Sequence, residues 1–255
     1  MHVFRSDWEP APRAAPPGAT LLAIGDVHGC LEQLLALEAR IAEDARDFEG
    51  EKWLVTVGDH VDRGPRSADV ISHVMGPAPA SFRRFALIGN HEQMMLDFLG
   101  NPAAHAYWLD EGGMETLASY GIEIDYPPLR TSEALRRMLD ERFPVDHRRF
   151  LEALPSWLSL PGWLFVHAGI RPGISLSMQS DDDLIWIRAP FLTSQLTGGL
   201  RVVHGHTPGR DIIATPHRIC IDTHCFHTGR LSAVRVTPDG RTAFFSVDGP
   251  ISGWR

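Results

Sequence analysis

Three apolar runs in the first hundred residues each end in a short polar cluster that begins with glycine. The runs are TLLAIGD, KWLVTVGD and RRFALIGNHE, beginning at residues 20, 52 and 83, and a helical spacing of apolar residues follows the first. Strands that alternate with helices predict βαβ units and a parallel sheet, and continuous apolar runs fit strands covered on both faces. Because ligands bind beyond the carboxyl ends of such strands, we expect the three clusters to meet at one edge.

The rest of the chain divides into a helical stretch and a tail rich in strands. Residues 100–160 are mostly helical with glycine and proline breakers, which predicts a helical cap inserted into the body. Short strand patterns return from residue 163, and the segments 218–224, 231–236 and 242–247 are typical of an antiparallel meander. The prediction is an α/β body over residues 20–255 with a mixed or second sheet, preceded by a disordered proline-rich arm over residues 1–19.

Charge, hydropathy and cysteine content exclude several classes of protein. The chain has 24 basic and 32 acidic residues, a net charge of -8, which argues against nonspecific binding of nucleic acid. It has no run of about 18 apolar residues and no signal peptide, so we expect no contact with a membrane. Its three cysteines form no CxxC pair and favour a reducing compartment, so the predicted location is cytoplasmic.

Histidine is abundant, and it is concentrated in the polar clusters. Six of the 13 histidines stand in short runs with Gly, Asp or Asn: His28, His60, His91, His167, His204 and His206. Asp, Asn and His without thiolate are an oxygen and nitrogen ligand set that suits Mn, Fe or Zn. A single Gly-Asp or His-Ala-Gly indicates little, because the first is usually a turn and the second usually packing. Their joint order along the chain indicates one metal centre.

This order of motifs resembles the phosphoprotein phosphatase family of binuclear metallophosphatases, in its bacterial Ser/Thr protein phosphatase and diadenosine tetraphosphatase-like branch. The matching segments are GDVHG (25–29), GDHVDRG (58–64), GNHE (89–92), HAG (167–169) and HGHT (204–207). The resemblance implies a calcineurin-like fold, a β-sandwich of mixed sheets flanked by helices. It also implies two divalent metal ions, with Mn²⁺ favoured and Fe or Zn as alternatives, and a bridging hydroxide that attacks phosphorus in line.

The resemblance assigns roles residue by residue. It implies six metal ligands, with Asp26 and His28 on the first ion, Asp59 between both, and Asn90, His167 and His206 on the second. It implies four further catalytic residues, namely Arg63 and Arg188 on phosphate oxygens, and His91 paired with Asp62 as general acid. These types suit the chemistry, because guanidinium groups match a phosphate dianion and a histidine oriented by a carboxylate can donate a proton near neutral pH.

Three functions remain open at this point. The first is a metal-dependent phosphoric monoester hydrolase, a Ser/Thr phosphoprotein phosphatase. The second is a hydrolase of diadenosine tetraphosphate or another dinucleoside polyphosphate, which shares the metal motifs. The third is a non-catalytic scaffold for phosphorylated proteins, which would not need His91 and Asp62. The expected partner is a phosphorylated protein or a small phosphoester, and the oligomeric state is left open.

Three histidines depart from the family pattern or stand beside it. His60 stands where the family usually has tyrosine, and we expect it to be structural. His224 stands where the family usually has glycine after Asp-Thr, in a segment that lines the far wall of the site in relatives. His204 is expected in the core or behind the ligands. Three aromatic residues of the predicted cap could stack a nucleotide base, although helix packing is the expected role: Tyr107, Trp108 and Trp157.

Overall fold

The computed structural model describes residues 14–16, 18–79, 81–124, 132–195 and 199–251. Within these ranges the strands are β1 (Thr20–Ile24), β2 (Lys52–Thr56), β3 (Phe82–Ala86), β4 (Trp157–Leu160), β5 (Trp163–Val166), β6 (Arg201–His204), β7 (Ile213–Ala214), β8 (Arg218–Cys220), β9 (Arg230–Val236) and β10 (Thr242–Asp248). The helices are α1 (Leu31–Asp44), α2 (Ser67–Met75), α3 (Asn90–Gly100), α4 (Gly113–Ser119), α5 (Ser132–Arg142), α6 (Val145–Glu152), α7 (Asp181–Trp186) and α8 (Cys225–Thr228).

The first sheet has the strand order β10-β9-β1-β2-β3. Its strands β1, β2 and β3 are parallel, and their register brings Ile24, Thr56 and Ala86 to the same edge. Strands β1 and β2 are buried along their whole length, because helices cover one face of the sheet and the second sheet covers the other. The predicted parallel βαβ arrangement is therefore confirmed.

The second sheet has the order β4-β5-β6-β8-β7, in which β5, β6 and β8 are parallel. An apolar cluster fills the space between the sheets, with side chains at alternate positions of each strand: Leu21, Ala23, Trp53, Val55, Phe85, Leu158, Phe165, Val203 and Ile219. A smaller cluster packs α7 on the outer face of the second sheet. The predicted sandwich of mixed sheets with flanking helices is confirmed.

The predicted meander of the tail is wrong in one respect. Strand β8 pairs with β6 in the second sheet, whereas β9 and β10 form an antiparallel hairpin in the first. The chain crosses between the sheets through residues 221–229, where His224 and Gly229 have left-handed backbone conformations. Alternation of apolar residues identifies a strand but not the sheet that it joins, so the crossing could not be read from the pattern.

The helical stretch predicted as a cap packs into the apolar cluster that covers the first sheet. Trp108 and Leu117 belong to the same cluster as Phe98 of α3, and Leu139 of α5 and Phe150 of α6 extend it. The stretch therefore widens the helical layer on this face of the sheet. Residues 125–131 of the predicted cap lie outside the described residues.

The predicted arm over residues 1–19 is described only in part, since residues 1–13 and 17 lie outside the described residues. Its last part packs on the second sheet. The N–H of Ala15 donates a hydrogen bond to the carbonyl of Ser159 at 2.9 Å, and Ala15 and Ala19 are buried. No helix in the described ranges combines the length and hydropathy needed to cross a bilayer.

Candidate active site

The polar clusters after β1, β2, β3 and β6 line one cavity of about 510 Å³, and His167, which follows β5, is fully buried beside Asp59. Asp26, Asp59 and Asn90 follow the aligned ends of β1, β2 and β3, while His167 and His206 follow the parallel strands β5 and β6. A hydrogen bond joins the two sheets here. The N–H of His206, which follows β6 of the second sheet, donates to Oδ2 of Asp26, which follows β1 of the first, at 2.9 Å. The strand ends therefore meet as the sequence predicts.

Asp59 lies at the centre of this cluster. Its Oδ1 is 3.4 Å from Nε2 of His167, and its Oδ2 is 3.5 Å from Nε2 of His28. Two groups of potential metal ligands share this carboxylate: Asp59 with His28 and His91, and Asp59 with Asp26 and His167. In each group the ligand atoms lie within 4.8 Å of one another. This geometry suits a carboxylate that contacts two cations at once. The grouping differs from the family assignment in one respect, because the resemblance places Asp26 and His28 on the same ion.

Asn90, His167 and His206 form the second side of the cluster. The Oδ1 atom of Asn90 is 2.9 Å from Nε2 of His167 and 2.8 Å from Nδ1 of His206. All three side chains are buried, so the oxygen and the two ring nitrogens point at one enclosed position. Such a set of neutral nitrogen and oxygen donors fits a divalent transition-metal ion.

The candidate histidine ligands are each oriented by a backbone carbonyl. Nδ1 of His28 is 2.8 Å from the oxygen of Val61, and Nδ1 of His167 is 2.9 Å from that of Val57. Nε2 of His206 is 3.2 Å from the oxygen of Trp186. Metal-binding histidines are typically held in this way, with one nitrogen fixed and the other directed at the ion.

The electrostatics of the cluster also fit a cation. Burial, followed by the Asp222 and Asp59 carboxylates, raises the pKa of Asp26 well above its ordinary value. Its Oδ1 is buried and accepts no hydrogen bond from any described residue. Burial also lowers the pKa of His28 and of His206, which leaves these rings neutral and able to bind a metal. The residues present therefore fit the binuclear site that the family resemblance implies.

Asp62 and His91 form a hydrogen-bonded pair beside the cluster. Nδ1 of His91 is 2.7 Å from Oδ2 of Asp62, which leaves Nε2 of His91 facing the cavity, 4.0 Å from Oδ2 of Asp59. Burial lowers the pKa of His91, but Asp59 and Asp62 outweigh it and leave the pKa raised. A protonated Nε2 in this position can donate to a leaving group, and a deprotonated one can join the potential ligands.

Both predicted arginines line the cavity. Nη1 of Arg63 lies 3.1 Å from Nε2 of His28, and Cζ of Arg63 lies 4.9 Å from the centroid of the Phe226 ring. Arg188 is exposed, and its Nη2 donates to the carbonyl of His206 at 3.3 Å. The cavity thus combines a cluster suited to cations with two guanidinium groups suited to phosphate oxygens.

The family model for calcineurin-like phosphoesterases matches residues 19–229, a range that contains every residue of this cluster. The chain belongs to the calcineurin-like phosphoesterases. It is therefore a metallophosphoesterase, a hydrolase of phosphate esters, and the hypothesis of a non-catalytic scaffold is set aside.

Relatives and solved structures agree with this family. A bis(5'-nucleosyl)-tetraphosphatase PrpE (asymmetrical) of Bacillus subtilis is 28% identical over 234 residues, which cover 83% of this chain and 88% of the relative. A solved structure described provisionally as a diadenosine tetraphosphatase has a TM-score of 0.63 at 23% identity, covering 93% and 97% of the two chains. A protein serine/threonine phosphatase of Saccharomyces cerevisiae has a TM-score of 0.51 at 15% identity, covering 92% and 81%. At these identities the two structures show the shared fold.

The metallophosphoesterase fold places the three uncertain histidines in different surroundings. His60 is buried outside the cavity, with Nε2 2.7 Å from Oγ1 of Thr56 and Nδ1 3.4 Å from Oε1 of Glu92. His204 is also buried outside the cavity, with Nδ1 2.9 Å from the carbonyl of Gly205. His224 lines the cavity wall, as the family pattern led us to expect of this segment.

Sequence reasoning missed several residues that shape the site. Glu92 is fully buried, and its carboxylate accepts four backbone N–H groups, from Asp59, His60, Val61 and Gly89, at 2.7 to 3.2 Å. It holds together the two loops that carry Asp59 and Asn90. The position of Glu92 in the GNHE motif could have marked it as a site residue, although the motif alone does not indicate its structural role.

Two residues of the helical stretch support Asp62. Nε1 of Trp108 donates to Oδ2 of Asp62 at 2.7 Å, and Oγ1 of Thr116 donates to its Oδ1 at the same distance. Helix packing was the role expected of Trp108, and neither residue belongs to a motif that would predict contact with Asp62. Asp222 lines the cavity too, and its position after an apolar strand repeats the pattern of Asp26, a signal that could have found it.

Backbone strain is concentrated around the cluster. Six of the seven described non-glycine residues with positive φ lie at the site: His28, Asp59, Asp62, Arg63, His206 and His224. Left-handed conformations cost free energy for such residues, and they persist where the surrounding structure requires them. At Gly89 the approach is close enough to exclude any side chain, since a Cβ there would lie 2.2 Å from Oδ1 of Asp59.

Proposed function

We propose that this metallophosphoesterase hydrolyses a phosphoanhydride bond of dinucleoside tetraphosphates such as diadenosine tetraphosphate. The observation that carries the proposal is the similarity to the named tetraphosphatase of Bacillus subtilis, which extends over 83% of this chain. The likeness to the protein phosphatase of Saccharomyces cerevisiae is one of fold, at 15% identity. Two aromatic side chains on the cavity wall, Tyr107 and Trp186, are 51% and 41% exposed and offer ring faces to a nucleobase.

We assign the metal ligands as the family resemblance implies them: Asp26 and His28 for one ion, Asn90, His167 and His206 for the other, and Asp59 for both. The same donor set supports Mn²⁺ as the favoured ion, with Fe or Zn as alternatives. When bound, two divalent ions activate water and neutralise charge on the phosphate that is attacked.

The remaining groups of the site bind the substrate and move protons. Arg63 and Arg188 hold oxygens of the tetraphosphate chain on the cavity wall, where planar guanidinium donors match phosphate geometry. Asp62 fixes Nδ1 of His91, so that Nε2 presents a proton toward the leaving phosphate. Burial of Asp62 keeps this hydrogen bond out of competition with water.

The test compares substrates on the Mn²⁺-loaded protein. We expect kcat/KM for diadenosine tetraphosphate to exceed that for a phosphoserine peptide at least tenfold, and we expect Asp59→Asn to abolish both activities. Anion-exchange separation of the products identifies the bond that is cleaved, since asymmetric cleavage gives a mono- and a triphosphate and symmetric cleavage gives two diphosphates. Faster hydrolysis of the phosphopeptide would contradict the proposal.

A Ser/Thr phosphoprotein phosphatase is the second candidate. The hydrogen-bonded Asp62–His91 pair favours it, because release of a serine or threonine alkoxide requires a proton donor more than release of a nucleotide does. The phosphopeptide arm of the same experiment tests it.

A further inference from the structure

A second cavity, of about 730 Å³, adjoins the candidate active site. Pro208 and His224 line both cavities, so these two residues form the boundary between them. The volume lies within the range of small-molecule binding sites in proteins. None of the residues assigned above to metal binding, phosphate binding or proton transfer lines this second cavity.

His224 is held rigidly at the boundary. Its φ of +61° lies in the left-handed region that favours glycine, which the family usually has at this position. Its N–H donates to Oδ1 of Asp222 at 2.8 Å, and its carbonyl accepts from the N–H groups of His227 and Thr228 at 2.9 Å. Oγ1 of Thr228 also donates to this carbonyl, at 3.1 Å. A strained conformation kept in place by four hydrogen bonds indicates that the side chain has a use here.

The His224 ring stacks on the ring of His227. Their centroids lie 4.9 Å apart and the ring planes differ by 29°. His224 is half-buried, whereas His227 is exposed in the second cavity. The pair therefore offers a flat imidazole surface on which another planar ring can continue the stack.

The charges around the second cavity are balanced. Arg230 pairs with Asp211 at 3.1 Å and with Asp248 at 2.8 Å, and Arg210 adds one further cation. Two cations and two carboxylates give no net attraction for a phosphate chain with several negative charges. They do supply donors and acceptors for the hydroxyl groups and base edges of a neutral nucleoside.

We propose, on the basis of the function proposed above, that the second cavity binds the distal nucleoside of a dinucleoside polyphosphate, with its base stacked on the His224–His227 pair. The polyphosphate chain runs from the metal cluster past His224 and Pro208, so that one half of the substrate occupies each cavity. A mononucleotide such as ATP fills one cavity only. The enzyme is therefore selective for dinucleoside over mononucleoside polyphosphates.

The decisive variant is His224→Gly, because glycine adopts a positive φ without strain and the fold should be kept. We expect kcat/KM for diadenosine tetraphosphate to fall about tenfold relative to that for p-nitrophenyl phosphate, mainly through KM, since base stacking on a ring contributes about this much. His227→Ala, on the exposed side of the stack, should lower the same ratio. His217→Ala is the matched control, because His217 lines neither cavity and should leave the ratio unchanged.

The outcomes separate this inference from the proposed function. If the wild type hydrolyses p-nitrophenyl phosphate but not diadenosine tetraphosphate, the proposed function fails and the inference fails with it. If the wild type hydrolyses the dinucleotide and both histidine variants keep the substrate ratio, the proposed function stands and the inference is overturned. Thermal unfolding checks the fold of each variant, and His227→Ala decides the matter if His224→Gly does not fold.

Discussion

At the scale of single residues, the site depends on a buried acid that faces the backbone. Glu92 accepts two N–H groups on each carboxylate oxygen and lies 3.4 Å from Nδ1 of His60. Burial raises the pKa of Glu92, but His60 and the hydrogen bond from Gly89 outweigh it and lower the pKa to about 2. The carboxylate is thus ionised and fixes the loops on which the central Asp59 depends.

Glu92→Gln replaces one accepting oxygen with an NH₂ group that faces backbone donors. We expect the affinity for Mn²⁺ to fall about 10- to 100-fold, as for other residues that orient ligands, and the free energy of unfolding to fall by about 3 kcal/mol. Calorimetric titration and denaturant unfolding measure the two effects. Glu43→Gln is the control, since the side chain of Glu43 is 76% exposed and should change neither. Unchanged Mn²⁺ affinity in Glu92→Gln would refute the positioning role.

His91→Ala should separate the two classes of substrate. A nucleotide leaves as a stable phosphate anion, whose second pKa is about 6, whereas a serine alkoxide must be protonated as it leaves. We expect kcat for a phosphoserine peptide to fall about 10²-fold or more, and kcat for diadenosine tetraphosphate to fall much less. Steady-state kinetics on both substrates measures the difference. Equal losses would indicate that His91 acts as a metal ligand and not as the acid.

The sequence predicts the candidate site unevenly at this scale. Asp26, Asp59 and His167 follow strand ends within short motifs, so their convergence can be expected from a parallel sheet. Trp108 and Thr116 reach Asp62 from a helical stretch whose packing no motif records. Residues that touch the site only through another residue leave no local pattern to read.

At the scale of elements, the helical stretch after α3 has a role in the site as well as in packing. The segment Ala106–Glu111 and helix α4 supply the two side-chain donors to Asp62, while Trp108 is fully buried against Phe98. Helix packing was the role expected for Trp108, and it also orients the Asp62–His91 pair.

Trp108→Phe removes one donor to Asp62 and keeps most of the packing. We expect kcat to fall about tenfold for substrates that need the proton from His91, with little change in KM, because the imidazole is less well oriented. Trp53→Phe is a matched control, since Nε1 of Trp53 donates to Glu51 and neither of these residues lines the cavity. The same loss of kcat in both variants would mean that packing, and not the hydrogen bond, is responsible.

A buried ionic cluster joins β3 of the first sheet to the two helices α1 and α2. Glu38 of α1 contacts Nη1 of Arg84 on β3, accepts from its Nη2 at 2.9 Å, and lies 2.8 Å from Nε2 of His73 on α2. The side chains of Glu38 and Arg84 are each 5% exposed. Burial raises the pKa of Glu38, but His73 and Arg84 outweigh it and lower the pKa below its ordinary value of 4.5.

This cluster makes the free energy of unfolding depend on pH in the acidic range. Because the folded pKa of Glu38 is below 4.5, its contribution is complete above that value and is lost as the pH falls through the folded pKa. Glu38→Gln leaves Arg84 buried without its carboxylate, so we expect the free energy of unfolding at pH 7 to fall by about 3 kcal/mol. Urea unfolding at several pH values should show a shallower loss of stability toward acid in the variant. Parallel curves for the two proteins would contradict this account.

At the scale of the whole molecule, the sequence predicts the β-sandwich but not the connectivity of its strands. The buried runs of β1 and β2 and the clusters after them are local signals, and the parallel sheet follows from them. The split of β8 from β9 depends on the turn at 221–229, which also carries Asp222 and His224 into the site. The crossing between the sheets thus supplies His224, one of the two residues at the boundary between the cavities, and no periodicity in the chain predicts it.

The central claim is that Asp59 lies between two metal ions at the meeting point of the two sheets. Anomalous scattering at the manganese edge, from crystals of the Mn²⁺-loaded protein, tests it most directly. The account predicts two peaks about 3.5–4 Å apart with the Asp59 carboxylate between them, one beside Asp26 and His28 and the other beside Asn90, His167 and His206. A single peak, or peaks that leave Asp59 without a metal contact, would contradict it.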